Sequence, residues 1–197
     1  MFATLVLAQL LRDCASHVDR RTMAAVVRVE SGGNTLALHD NTSSRSFAPA
    51  GIAEGAAWAS ELVAMGHSVD IGLSQINSAN LPKLGLSVAD AFVPCTNLRA
   101  GAAILGGDYV AAAQRFGPGQ VALRHALGAY NTGSLFAGQG YINRILVAAG
   151  LSAEYAGVPA VPVETAPLGR AISYRARRSY TTRRVPGSTV EVIVGNP

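Results

Sequence analysis

The sequence predicts a mainly α-helical domain with a small hairpin or long loop and a C-terminal appendage. Three observations carry this. Apolar residues are 49% of the chain and charged residues 14%, which is the balance of a packed core and not of a disordered chain. Most apolar positions fall into helix-period runs bounded by capping residues and glycines. After Gly150 that pattern stops, and prolines and arginines take over.

The elements follow in order. Residues 1–11 are apolar, but no Lys or Arg precedes them and no small-residue cleavage site follows, so they fit a signal peptide poorly. They read as a first helix, with Thr4 as cap, running to about His17. Asp19 caps a second helix through Met23, Val27 and Glu30 to Ser31, stopped by Gly32-Gly33. Residues 35–48 carry an Asp40-Asn41 turn signal and suit a hairpin or long loop. Residues 53–65 form a third helix ended by Gly66, and residues 67–80 are turn-rich. Ser87 is placed to cap a short helix, and Thr96 a long one on Leu98, Ala102, Leu105, Tyr109, Ala112 and Phe116. Pro118 suits the first turn of the next helix, which reaches Tyr130. A loop over 131–140 leads to a last helix ending at Gly150. The expected domains are therefore 1–150, with about six helices, and an appendage over 151–197.

Charge excludes some functions. Residues 1–150 hold ten Lys and Arg against nine Asp and Glu, net +1, while 151–197 hold six Arg against three Glu, net +3. The body has no basic stripe, which argues against nucleic acid. No apolar run approaches the ~20 residues of a membrane span. His17, His39, His67 and His125 lack zinc-type spacing, so no metal and no cofactor is expected. Cys14 and Cys95 are compatible with two buried thiols or with a disulfide. A bond would close a loop of about 80 residues, contribute on the order of 4 kcal/mol and require an oxidising compartment.

Three segments carry candidate chemistry. Glu30 sits in the last turn of an apolar helix, where the helix dipole and desolvation both raise a carboxyl pKa toward that of a general acid. Taken alone, the segment fits a surface glutamate at a frayed helix end more simply. In Asp70-Ile71-Gly72-Leu73-Ser74-Gln75-Ile76-Asn77, Gln75 and Asn77 offer amides of the kind that read sugar hydroxyls and acetamides, unless the segment is an ordinary buried turn. Ser74 is not in a G-x-S-x-G context and is no hydrolase nucleophile. Ala129-Tyr130-Asn131-Thr132-Gly133 and Tyr141 suit either a cleft wall or plain helix ends.

Taken together and in this order, Glu30-Ser31, Gly72 to Asn77, Ala129 to Gly133 and Tyr141 resemble the soluble lytic transglycosylases with their goose-type lysozyme fold. Within that family the chain most resembles the transglycosylase subunit of type IV secretion and conjugation systems. The early cysteine, the Glu-Ser-Gly-Gly-Asn run at 30–34, the helix before Asp70, and a cysteine ahead of Asn97-Leu98-Arg99-Ala100-Gly101 are all of that type. The likeness covers residues 5–150 and leaves the tail out.

The resemblance implies cleavage of the β-1,4 bond between N-acetylmuramic acid and N-acetylglucosamine in peptidoglycan, with 1,6-anhydro-muramyl ends. It implies Glu30 as the lone catalytic carboxyl, Ser31 bonded near it, and Gln75, Asn77, Tyr130, Asn131 and Tyr141 along the sugar groove. It makes Asp70 structural and Cys14–Cys95 a disulfide, and it implies a periplasmic location. Ser74 stands where the wider family has Met, and Thr132 where it has Ala or Gly. A lysozyme-like hydrolase and an idle glycan-binding scaffold are the alternatives, and the scaffold would not need the acid. The tail, 151–197, is expected to be mobile, to lie outside the catalytic body and to bind secretion-system components or anionic wall polymer; residues 188–194 are β-branched enough to add a strand to a partner but fit a disordered end more simply.

Overall fold

The computed structural model describes residues 4–154. In chain order the elements are α1 (Thr4–Cys14), α2 (Arg20–Ser31), β1 (Leu38–Asp40), β2 (Arg45–Phe47), α3 (Ile52–Ala64), β3 (Val69–Ile71), β4 (Ile76–Asn77), α4 (Leu81–Leu84), α5 (Pro94–Phe116), α6 (Gln120–Thr132) and α7 (Gln139–Ala148). The strands form one antiparallel sheet in the order β2–β1–β3–β4. The mainly helical expectation holds, and residues 35–48 form the hairpin.

Two cores share the molecule. The helical core buries Leu11, Met23, Val26, Val27, Leu98, Leu105, Leu127 and Ile145 from α1, α2, α5, α6 and α7. The smaller core buries Leu38, Ile71 and Ile76 of the sheet with Ala59 of α3 and Phe92. The β3–β4 turn joins them, because Leu73 enters the helical core while Ile71 and Ile76 on either side belong to the sheet core. Tyr130 packs against both.

Local chemistry explains most boundaries. Asp19 Oδ1 accepts from Arg21 N at 2.9 Å and Thr22 N at 3.0 Å, starting α2, and Gly32 ends it at φ 61°. Cys14 at the end of α1 is bonded to Cys95 in the first turn of α5, with the Cα atoms 5.2 Å apart. That link and the buried turn at Ala15 and Val18 end α1 at Cys14 rather than near His17.

Five further boundaries differ from expectation. The long helix starts at Pro94, not after Thr96, since proline suits a first turn that needs no N–H partner. Pro118 lies in the turn before α6 instead of inside it. That helix runs past Tyr130 to Thr132, whose hydroxyl donates to Gly128 O at 2.7 Å, and Gly133 at φ 71° caps it. Residues 67–80 hold β3, β4 and a helical turn, because β3 finds its partner in distant β1, with Asp70 opposite His39. Ala89, not Ser87, is the cap of the helical turn Asp90–Phe92, although Ser87 Oγ accepts from Asp90 N at 3.2 Å.

The expectations for the tail fall mostly on residues 155–197, outside the described residues. Before them the chain stays on the body. Leu151 N donates to Leu146 O at 2.8 Å, and Glu154 pairs with Arg124 of α6.

Candidate active site

Glu30 follows Val26 and Val27 by four and three residues, so it continues the buried face of α2 while Arg28 points to solvent. Its Oε1 accepts from the Tyr141 hydroxyl at 2.6 Å. Burial pushes the Glu30 carboxyl up to about 7; the nearby Asp70 charge adds to this, while the Tyr141 hydrogen bond and the Arg144 guanidinium oppose it. An acid of this strength is protonated up to neutral pH and still gives up its proton readily, as proton transfer in both directions requires.

The β3–β4 turn is held against α2, α5 and α6 from several sides. Ser31 Oγ donates to Leu73 O at 2.8 Å, and the Tyr130 hydroxyl donates to Ser74 O at 2.8 Å. The amide of Asn97, buried on α5, donates to Ile71 O at 2.8 Å and Ala91 O at 2.7 Å and accepts from Ser74 N at 2.7 Å. One turn on, Gly101 leaves room for Ser74, since a Cβ there would lie 2.6 Å from Ser74 Cβ. Gly72 has φ +75°, and a Cβ on it would lie 2.7 Å from Ala91 O and nearer still to Asn97 Nδ2. Asn97 and Gly101 thus explain the Asn-Leu-Arg-Ala-Gly run at 97–101.

The turn delivers Gln75 in an unusual state. It is a non-glycine residue at φ 45°, a strained conformation that the surrounding bonds must hold. Its Nε2 donates to Gly72 O at 2.9 Å, and its Oε1 is buried without a partner.

Asn77 is bonded within the protein. Its Nδ2 donates to Asp70 Oδ1 at 2.7 Å and Ser68 Oγ at 2.8 Å, and its Oδ1 accepts from Ala79 N at 3.0 Å. All its capacity to donate is used inside the protein. Asp70 also accepts from Asn41 Nδ2 at 2.8 Å, and burial raises its carboxyl against these two hydrogen bonds and the His39 ring. Asn131 is partly exposed in the last turn of α6. Tyr141 is buried at the start of α7. The structure therefore brings Glu30, Ser31, Gln75, Tyr130 and Tyr141 together around one turn, and directs Asn77 into the network under Asp70.

Arg144 escaped the sequence reading. It lies three residues after Tyr141 on α7, and its guanidinium carbon sits 5.5 Å from the centre of the Tyr141 ring. The signal was the i, i+3 spacing to a site residue.

Residues 11–140 match the family model described as the transglycosylase SLT domain. The chain belongs to this family. Its relatives include protein virB1 of Agrobacterium fabrum, 39% identical over 140 residues, which are 70% of this chain and 57% of the relative. The type IV secretion system protein virB1 of Brucella abortus is 40% identical over 139 residues, with the same shares covered. The chain thus spans about 57% of the length of these curated relatives. No solved structure matches it. The SLT match encloses Glu30, the β3–β4 turn and Tyr130, and ends one residue before Tyr141.

Proposed function

We propose that this chain is a peptidoglycan lytic transglycosylase. It cleaves the β-1,4 bond between N-acetylmuramic acid and N-acetylglucosamine and leaves a 1,6-anhydro-muramyl end. The observation that carries the reading is the half-buried Glu30 carboxyl, raised to about 7 and held by Tyr141, inside an SLT domain.

The chemistry needs one group twice. Protonated Glu30 gives its proton to the glycosidic oxygen as the bond from C1 of the muramyl sugar to that oxygen breaks. The resulting carboxylate then takes the proton of the same sugar's C6 hydroxyl as O6 bonds to C1. Atoms balance without water, and Glu30 ends protonated again. The two-carboxylate scheme would need a second acid as nucleophile or base. Asp70 fits that role poorly, because amides of Asn41 and Asn77 engage both its oxygens.

Within this reading, Gln75 and Asn131 are the amides that meet the sugars. The unpartnered Gln75 Oε1 supports its part. Ser31 and Tyr130 position the turn, and Tyr141 orients the acid.

The virB1 relatives support a place beside a type IV secretion or conjugation machine, acting on the wall in the periplasm. Among the described residues no helix is long and apolar enough to cross a membrane. The tail from 155 onward, with its arginines, is the part we assign to secretion partners or anionic wall polymer, and residues 1–150 are assigned to catalysis.

Glu30→Gln tests the reading in a sacculus-turbidity assay. A rate below a hundredth of the native one is expected, since acid–base groups contribute about 10²–10⁴-fold. A tenth or more of the native rate would contradict it.

A further inference from the structure

A one-carboxyl mechanism asks for something beyond the acid itself. Midway through the reaction a buried carboxylate must exist where a neutral acid was, and burial alone opposes that charge. The groups facing Glu30 are few. From α7 come Tyr141 and Arg144, and from β3 comes Asp70, whose negative charge works against the carboxylate. Tyr130 of α6 lies within electrostatic range and is neutral, and Asp108 of α5 acts on Tyr130. Arg28, the next charged residue back along α2, is exposed. Among the described residues, Arg144 is therefore the one cation acting on Glu30.

Its placement is specific. Arg144 forms no ion pair with any described residue, and its Nε is buried without a hydrogen-bond partner. A buried unpaired donor costs about 1–3 kcal/mol, so its retention beside the acid calls for a role. The guanidinium lies 5.5 Å from the centre of the Tyr141 ring, and the hydroxyl of that ring is the donor to Glu30 at 2.6 Å. A cation over the ring draws electron density from the phenol and makes its hydroxyl a stronger donor.

We propose that Arg144 is a positioning residue for Glu30, supplying through the Tyr141 ring the positive charge against which Glu30 becomes a carboxylate in the second half of the reaction. This rests on the transglycosylase reading, but part of its test needs no turnover. Arg144 does not touch the reacting atoms in this account. It acts on the acid by its field and through the tyrosine hydroxyl.

The test follows the Glu30 carboxyl itself. Full-length protein labelled with ¹³C at the glutamate carboxyls is titrated by NMR, with the Glu30 signal assigned by its loss in Glu30→Gln. In Arg144→Met the Glu30 midpoint should rise by about one pH unit or more, near 1.4 kcal/mol per unit. Arg144→Lys, which keeps the charge, should move it less than half as far. Arg144→Gln serves as the neutral variant if the Met form does not fold. On solubilised glycan strands the alkaline limb of the native kcat profile should move with the midpoint, and kcat should fall about tenfold with KM changed less than twofold. An unmoved Glu30 midpoint in the neutral variants overturns the proposal. So does a rise in KM confined to peptide-bearing strands with the pH profile unmoved, which would make Arg144 an anchor for a substrate carboxylate. If the native protein releases no anhydro product while the midpoint still moves as expected, the coupling of Arg144 to Glu30 stands and the transglycosylase reading falls.

Discussion

The chemistry we propose for Glu30 follows from its place at the end of α2, and so does a cost to the fold. Its folded pKa of about 7 lies above the ordinary 4.5. Below pH 4.5 the carboxyl is protonated in folded and unfolded chains alike and exacts nothing. As pH rises to about 7, the folded state holds a proton that the unfolded state has released, so stability falls through this window. The full loss is up to about 3 kcal/mol, at about 1.4 kcal/mol per unit. Glu30→Gln should therefore be more stable than the native protein at pH 8 and nearly equal to it at pH 4, as read by urea denaturation at both pH values. Equal stability at pH 8 would mean that the carboxyl is hydrated and of ordinary strength. At this scale the sequence was readable where chemistry depends on a local element: a carboxylate on the apolar face of a capped helix. It was not readable for Asn77, which looks like a sugar reader in the motif. Only the non-local pairing of β3 with β1 brings Asp70 and Asn41 together, and with them the network that takes up the Asn77 amide.

Among the elements, the β3–β4 turn matters most, because it connects the two cores and carries Gln75. Gly101→Ala would force Ser74 away from α5, and Gly72→Ala adds left-handed strain to a clash with Asn97 and Ala91. Each should cost about 1–3 kcal/mol by thermal or urea unfolding. Activity should fall further than stability, because the same shift moves Gln75 relative to Glu30. A Gly101→Ala protein of native stability and native rate would show that the turn is loosely held. The disulfide acts on a second junction, tying the end of α1 to the start of α5 across 81 residues. Reduction should lower the melting temperature by about 10 °C, from about 4 kcal/mol of chain-entropy stabilisation. If both thiols react with maleimide in the denatured, unreduced protein, the bond is absent. The helices were legible because their caps and 3.6-residue periods are local. The strands were not, since two or three residues are too few for an alternating pattern and their partners lie far along the chain.

For the whole molecule, the groups we assign to catalysis gather at the seam between the helical core and the sheet core, drawn from α2, the β3–β4 turn, α6 and α7. Such a site needs the complete body. Leu151 and the Glu154–Arg124 pair belong to that body, four residues beyond the change in composition at Gly150. Truncation after Glu154 should accordingly leave the melting temperature and the cleavage of purified glycan within about twofold of native. It should weaken retention on sacculi, by an amount that shrinks as salt rises, because the contact we assign to the tail is between exposed charges. Insolubility of the truncated protein would place part of the fold beyond residue 154. The account as a whole stands on one product. Sacculi digested by the native protein in H₂¹⁸O should release muropeptides whose muramyl ends are 1,6-anhydro and carry no ¹⁸O, because the sugar's own C6 hydroxyl closes on C1. Reducing ends labelled with ¹⁸O would mean that water takes the place of that hydroxyl, and the one-carboxyl mechanism would be wrong.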